Sequence, residues 1–261
     1  MKPEAFVQAL ERLAPPEYAE AWDNVGLLID PPGAGDVVRR ALLTIDFTDA
    51  VADEAVERDV DFVVSYHPVL FRPARRLDVA RAHDRAVMKA VAAGIRLYSP
   101  HTALDAVRGG TNDWLAEGVG AGAVSVLAPL PGTDAGAGRL VELREPAALE
   151  EILRRVKRHL GIEMLRLARA EGNAPVRRIA LCAGAGADVL RDVAADLLLS
   201  GEMGHHDVLA AVRNGRHVAL CEHTRTERGF LARFRERLLQ RLRNDVDVLL
   251  SERDADPVEY H

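Results

Sequence analysis

FVVSYHP, residues 62–68, is the stretch that decides the fold. Phe62, Val63 and Val64 run straight into Ser65, Tyr66 and His67, and Pro68 stops the run. A short, continuous apolar segment closed by a breaker predicts a strand buried on both faces. Its polar tip is then the C-terminal end of a parallel strand, where ligands bind in open α/β sheets. Three further stretches share this design: IRLYSPHTALD (95–105), LLLSGEMGHHD (197–207) and HVALCEHTRTE (217–227). Each is an apolar strand that delivers histidine and acid at its end.

The rest of the chain alternates strand and helix around these four stretches. Helices are expected at 3–13, from 48 or 49 to about 57, at 80–93, within 101–120 after Gly109-Gly110, at 147–160, as a turn and helix over 184–195, and at 205–213 and 227–243. Strands are expected at 25–29, 39–47, 95–100, 123–130, 139–145, 164–170, 177–184 and 245–252. The last third repeats the first in outline. The expected fold class is therefore α/β, with two similar lobes and mixed sheets. The lobes are approximately 1–127 and 128–261, built into one compact unit without a large inserted domain.

The totals exclude several classes of function. With 261 residues, 48% of them hydrophobic, the chain can bury a sizeable core. A formal net charge of −6 argues against a general nucleic-acid binder. No apolar stretch approaches the ~18 residues that a membrane span needs. Cys182 and Cys221, the two cysteines, both sit in apolar runs, as buried thiols do in a reducing cytoplasm.

The sharpest chemical signal appears twice. His-Thr-x-x-acid occurs as HTALD, with His101 and Asp105, and as HTRTE, with His223 and Glu227. Nine His, seven Thr and forty acids in 261 residues give roughly 0.04 copies by chance. A spacing of four puts both side chains on one face of a helical turn, so one turn offers two ligands to one metal. His67 adds a third imidazole from another strand end. Three imidazoles and two carboxylates exceed the needs of one tetrahedral ion with an open position and suit a pair of ions. Mixed nitrogen and oxygen ligands favour Zn, Mn, Fe or Ni over Mg or Ca.

Other polar residues keep two readings each. Glu202, His205, His206 and Asp207 supply either an outer shell with an acid–base pair or helix caps. Tyr66 is a ligand, a hydrogen-bond donor to substrate, or core. Arg72, Arg75 and Arg76 in the 69–77 loop either bind an anionic substrate or are solvated. Gly184-Ala185-Gly186 is a tight turn or a phosphate cradle at a helix start. Cys221, two residues before His223, is a buried thiol or a further ligand.

WDNVGLL (22–28), SYHPVLFRP (65–73), YSPHTALDAVRGGTNDWLA (98–116), SGEMGHHDVLAA (200–211) and CEHTRTERGF (221–230) together resemble the Nif-three-like family, also described as GTP cyclohydrolase 1 type 2 homologues. The resemblance covers almost the whole chain. It implies a two-lobed α/β fold, a toroidal homohexamer built from dimers, and a dinuclear centre held by His67, His101, Asp105, His223 and Glu227. Tyr66-His67-Pro68 resembles the family's eukaryotic branch, where many bacterial members carry His-His-Pro. The expected function is metal-dependent hydrolysis of an anionic, nucleotide-like small molecule, with Glu202 and His206 catalytic and Tyr66, Arg72 and His205 at the substrate. The rival readings are a metal carrier that is not an enzyme and a metal-stabilised scaffold.

Overall fold

The computed structural model describes residues 1–259. The chain forms two compact units: Met1–Leu104 with Leu231–Pro257, and Asp105–Phe230 with the segment from Val258. This division differs from the expected lobes, 1–127 and 128–261. The reason lies in strand pairing, because the last strand joins the sheet built by the first hundred residues.

The first unit begins with α1 (Pro3–Glu11), β1 (Gly26–Ile29), β2 (Arg40–Thr44), α2 (Asp49–Glu57), β3 (Phe62–Ser65), α3 (Ala82–Ala92) and β4 (Arg96–Ser99), and the chain passes to the second unit within α4 (His101–Ala106). All four residues of β3 are buried, as its apolar run requires. β3 pairs in parallel with β2 on one side and β4 on the other. The ends that carry His67 and His101 are therefore adjacent strand ends. β1 is the antiparallel edge beyond β4. Thr48 caps α2, its side-chain oxygen accepting the Val51 N–H at 3.3 Å. Val51, Ala55, Val87 and Ala90 from α2 and α3 pack with Leu42, Val63 and Leu97 of the sheet. Strand alternation turns Phe62 the other way. Its ring meets Phe6 of α1 at 4.7 Å between centroids.

The second unit holds α5 (Thr111–Glu117), β5 (Gly122–Pro129), β6 (Gly136–Ala147), α6 (Leu149–Leu160), β7 (Arg166–Ala168), β8 (Val176–Ala185), α7 (Ala187–Leu190), β9 (Leu197–Glu202), α8 (His205–Arg213) and β10 (His217–Leu220). The sheet order is β5-β6-β8-β9-β10-β7, with β8, β9 and β10 parallel and the outer pairings antiparallel. Both sheets are mixed, as expected. Arg139 on β6 is fully buried. It forms an ion pair with Asp113 and donates to the carbonyls of Gly136, Gly138, Ala106 and Val107 at 2.7–3.1 Å.

α9 (Phe230–Leu242) and β11 (Asp247–Leu250) return to the first unit, where β11 pairs in parallel with β2. The turn and helix expected over 184–195 reduce to the four residues of α7, and Gly184 and Ala185 remain in β8. The phosphate cradle is overturned with it. The Gly184 N–H is donated to Thr226 Oγ1 at 2.8 Å and the Gly186 N–H to Ser200 Oγ at 3.0 Å.

Candidate metal centre

In the first unit, β3 and β4 deliver His67 and His101 two residues past their last paired positions. The two imidazoles lie edge-on with centroids 5.4 Å apart. Each is backed by a carboxylate. His67 Nδ1 is 2.9 Å from Asp46 Oδ1, and His101 Nδ1 is 2.8 Å from Asp23 Oδ1. Asp23 Oδ2 also accepts the Thr102 N–H at 3.2 Å and its hydroxyl at 2.5 Å. Burial raises the Asp23 pKa, but hydrogen bonds from His101 and Thr102 outweigh it and hold the carboxyl below its usual range. His101 has a positive φ of 29°, a conformation that side chains bearing a Cβ rarely adopt. Asp23 fixes this strained turn from the side.

Asp105 follows His101 by four residues on α4, so the helix presents both on one face. Tyr66 is buried, with its ring centroid 5.3 Å from that of His67 and 6.0 Å from that of His101. Arg72 is exposed on the 69–81 loop.

In the second unit, the end of β9 supplies Glu202 and the turn after β10 supplies His223 and Glu227. HTRTE forms a short 3₁₀ turn, Thr224–Thr226, rather than an α-helix. His223 Nε2 still lies 3.3 Å from Glu227 Oε1. His223 Nδ1 lies 2.8 Å from Glu202 Oε1. Glu227 is buried, and Glu222, just before His223, has a positive φ of 64°. Gly184 leaves room for this pair. A Cβ there would stand 2.7 Å from Glu227 Oε1 and 3.0 Å from His223 Nε2. His205 and His206 open α8, both exposed, with ring centroids 5.4 Å apart. Asp207 gives α8 no side-chain cap and lies 3.6 Å from Arg191. Cys221 is fully buried, and burial pushes its thiol up to about 12, which disfavours the thiolate a metal needs.

These residues fit a transition-metal ion on two counts. His67, His101 and His223 each commit Nδ1 to a carboxylate, which fixes the ring and directs Nε2 outward as the coordinating nitrogen. Carboxylate–histidine pairing of this kind accompanies metal-ligating histidines. Second, the 3.3 Å between His223 Nε2 and Glu227 Oε1 is close to the roughly 3.4 Å tetrahedral edge of ligands about 2.0–2.1 Å from one ion. Sequence reasoning singled out the histidines but placed Asp23 in a turn and Asp46 merely inside a strand segment. For Asp46 a signal was present: it follows β2, the parallel neighbour of β3, and so belongs to the same row of strand ends.

Comparisons with known proteins identify relatives of the whole chain. The chain is 36% identical over 267 residues to the protein NIF3 homolog of Schizosaccharomyces pombe, covering 96% of this chain and 95% of that protein. It is 39% identical to NIF3-like protein 1 of Drosophila melanogaster, over 97% of this chain and 87% of that protein. A Clostridium perfringens protein named GTP cyclohydrolase 1 type 2 homolog is 31% identical over the full length of both chains. Among solved structures, a hypothetical protein of Staphylococcus aureus superposes with a TM-score of 0.87 at 25% identity, covering 100% of this chain and 99% of that one. A Bacillus cereus protein related to NIF3 gives a TM-score of 0.90 at 19% identity, with the same coverage, and so shares the fold. The family model described as Duf34/NIF3 (NGG1p interacting factor 3) matches residues 1–257, and the chain belongs to that family.

Proposed function

We propose that this protein is a metal-dependent hydrolase of the cyclohydrolase type, acting on an anionic, nucleotide-like small molecule. Its metal ligands are His67, His101, Asp105, His223 and Glu227, and the group they hold is a pair of divalent transition-metal ions. The observation that carries the reading is the carboxylate behind each histidine: Asp46 behind His67, Asp23 behind His101 and Glu202 behind His223. When bound, the ions supply Lewis acidity toward water and toward a polarised carbon or phosphorus centre. In this scheme Asp46, Asp23 and Glu202 set the tautomers and raise the basicity of the imidazoles. Glu202, read from sequence as catalytic, is thereby a positioning residue. His206, exposed at the start of α8, moves the proton, with His205 beside it at the substrate, and Arg72 holds the anion. The name borne by the Clostridium perfringens relative supports a cyclohydrolase over other hydrolases.

Elemental analysis of purified protein tests the ligand set. The expected result is close to two equivalents of metal in the natural chain and a sharp fall in Glu227→Ala. Metal content untouched by that substitution overturns the reading. His206→Ala separates an enzyme from a carrier: it should keep its metal and lose turnover, whereas a carrier has no turnover to lose.

A further inference from the structure

Among the described residues, the exposed large apolar side chains include only two aromatics, Trp22 at 60% and Phe71 at 46% exposure. They are neighbours. Their ring centroids lie 5.9 Å apart at 73°, and His101 is 6.1 Å from Trp22 and 6.4 Å from Phe71, again edge-on. Exposed tryptophan is uncommon, because its large apolar surface favours burial.

This placement is held by hydrogen bonds. Asp23 grips His101 and Thr102. Asn24, the next residue, takes the Asp23 carboxylate with its backbone N–H at 2.8 Å and donates its side-chain amide to the Leu70 carbonyl at 2.6 Å. Residues 22–24 are thus tied to the end of β4 on one side and to the loop bearing Phe71 on the other. Arg72 follows Phe71 and is exposed.

We propose that Trp22 and Phe71 form a ring-binding rim beside His101 that takes a flat heteroaromatic ring of nucleobase size, with Arg72 meeting an anionic group on the same molecule. The inference rests on the reading of His101 as a metal ligand and deepens it by naming what the substrate must carry. The size of the rim selects the occupant. Two aromatic side chains of 150–250 Å² each, half exposed, offer about 200 Å². A stable protein–protein contact takes about 800 Å² per partner. A single stacked ring needs no more than the rim provides. The quadrupoles of the two aromatic faces and the charge of Arg72 both favour an electron-poor, anionic, planar molecule over an aliphatic one.

The experiment uses the two tryptophans of the chain. Trp114→Phe leaves Trp22 as the only tryptophan. The protein, as purified and after chelation, is titrated with the four ribonucleoside 5′-monophosphates and with ribose 5-phosphate, and Trp22 emission is followed. The expected result is saturable quenching by at least one nucleotide and none by ribose 5-phosphate. Phe71→Ala should weaken the affinity about ten-fold or more. Should Trp114→Phe fail to fold, the same titration by calorimetry, natural chain against Trp22→Leu, gives the same comparison. The proposal is overturned by absence of quenching into the millimolar range, by equal binding of ribose 5-phosphate, or by emission that follows protein concentration instead of nucleotide. Because the chelated protein is also titrated and turnover is not the readout, failure here leaves the metal assignment standing. Failure of the metal assignment would show separately, as unchanged metal content in Glu227→Ala.

Discussion

At the scale of single residues, three carboxylates are the part of the centre that can be tested most directly. Asp46→Asn and Asp23→Asn retain the shape of the side chain while removing the charge behind an imidazole. Each should weaken metal binding by about 10–100-fold, measured by competition with a chromogenic chelator. Gly184→Ala should do the same by crowding, since its Cβ would fall 2.7 Å from Glu227 Oε1 at a φ of +61°. Its signature is different: melting temperature and metal content should fall together, whereas Asp46→Asn should leave the apoprotein's melting nearly unmoved; Asp23→Asn, which loses acceptors for Thr102 as well, should also lower the melting. The histidines were legible in the sequence because they recur in a repeated spacing. Asp23 was not, because its partnership with His101 spans 78 residues and leaves no local pattern. Tyr66 kept several readings for a similar reason. Pairing of Tyr66 N–H with Thr44 O, which carries the chain on past β3, is a tertiary fact.

At the scale of elements, two buried charges hold strands in place. Glu54 on α2 accepts from Ser251 Oγ at 2.5 Å, from Glu252 N at 3.0 Å, from Arg253 N at 3.2 Å and from Arg58 at 2.7 Å. This ties the chain just past β11 to α2. Burial raises the Glu54 pKa, yet the hydrogen bonds win and lower it. A carboxyl with a depressed folded-state pKa contributes its full stabilisation above the unfolded value of about 4.3 and loses it as pH falls through the lower folded value. Glu54→Gln should therefore cost about 1–3 kcal/mol near neutrality, and the gap to the natural chain should close in urea melts carried out at progressively lower pH. In the second unit, Arg139→Met removes the buried guanidinium that pairs with Asp113 and donates to four carbonyls. It should destabilise by about 3–5 kcal/mol in the same measurement. Strands were the most legible elements, since a buried parallel strand is an uninterrupted apolar run. The helix after β8 was overread. A Gly-rich start followed by apolar residues looks like helix nucleation, but Gly184 lies in β8 with its N–H donated to Thr226, and the Gly186 N–H is donated to Ser200.

At the scale of the whole molecule, the net charge of −6 disfavours broad attraction of polyanions. No helix among the described residues is long and apolar enough to cross a membrane. We propose that copies assemble as the ring-shaped homohexamer that the resemblance implies. Native mass spectrometry should then give a six-fold mass, retained after chelation if the metals serve chemistry alone and lost if they also hold the ring. The α/β class and the mixed sheets were readable from the alternation of strand and helix. The division into units was not, because a strand's pairing partner is not encoded by its own pattern.

That division bears on how the polypeptide is made. The slot beside β2 is filled by residues 247–250, the last strand among the described residues, so it leaves the ribosome after all the others described. Until then, the nascent chain carries a parallel array whose outer backbone amides and carbonyls are open to any passing β-segment. Synthesis of the entire intervening unit must elapse before that edge is closed. A stop codon placed just before Asp247 should thus yield a product that misassembles on release, even though every proposed metal ligand has been translated.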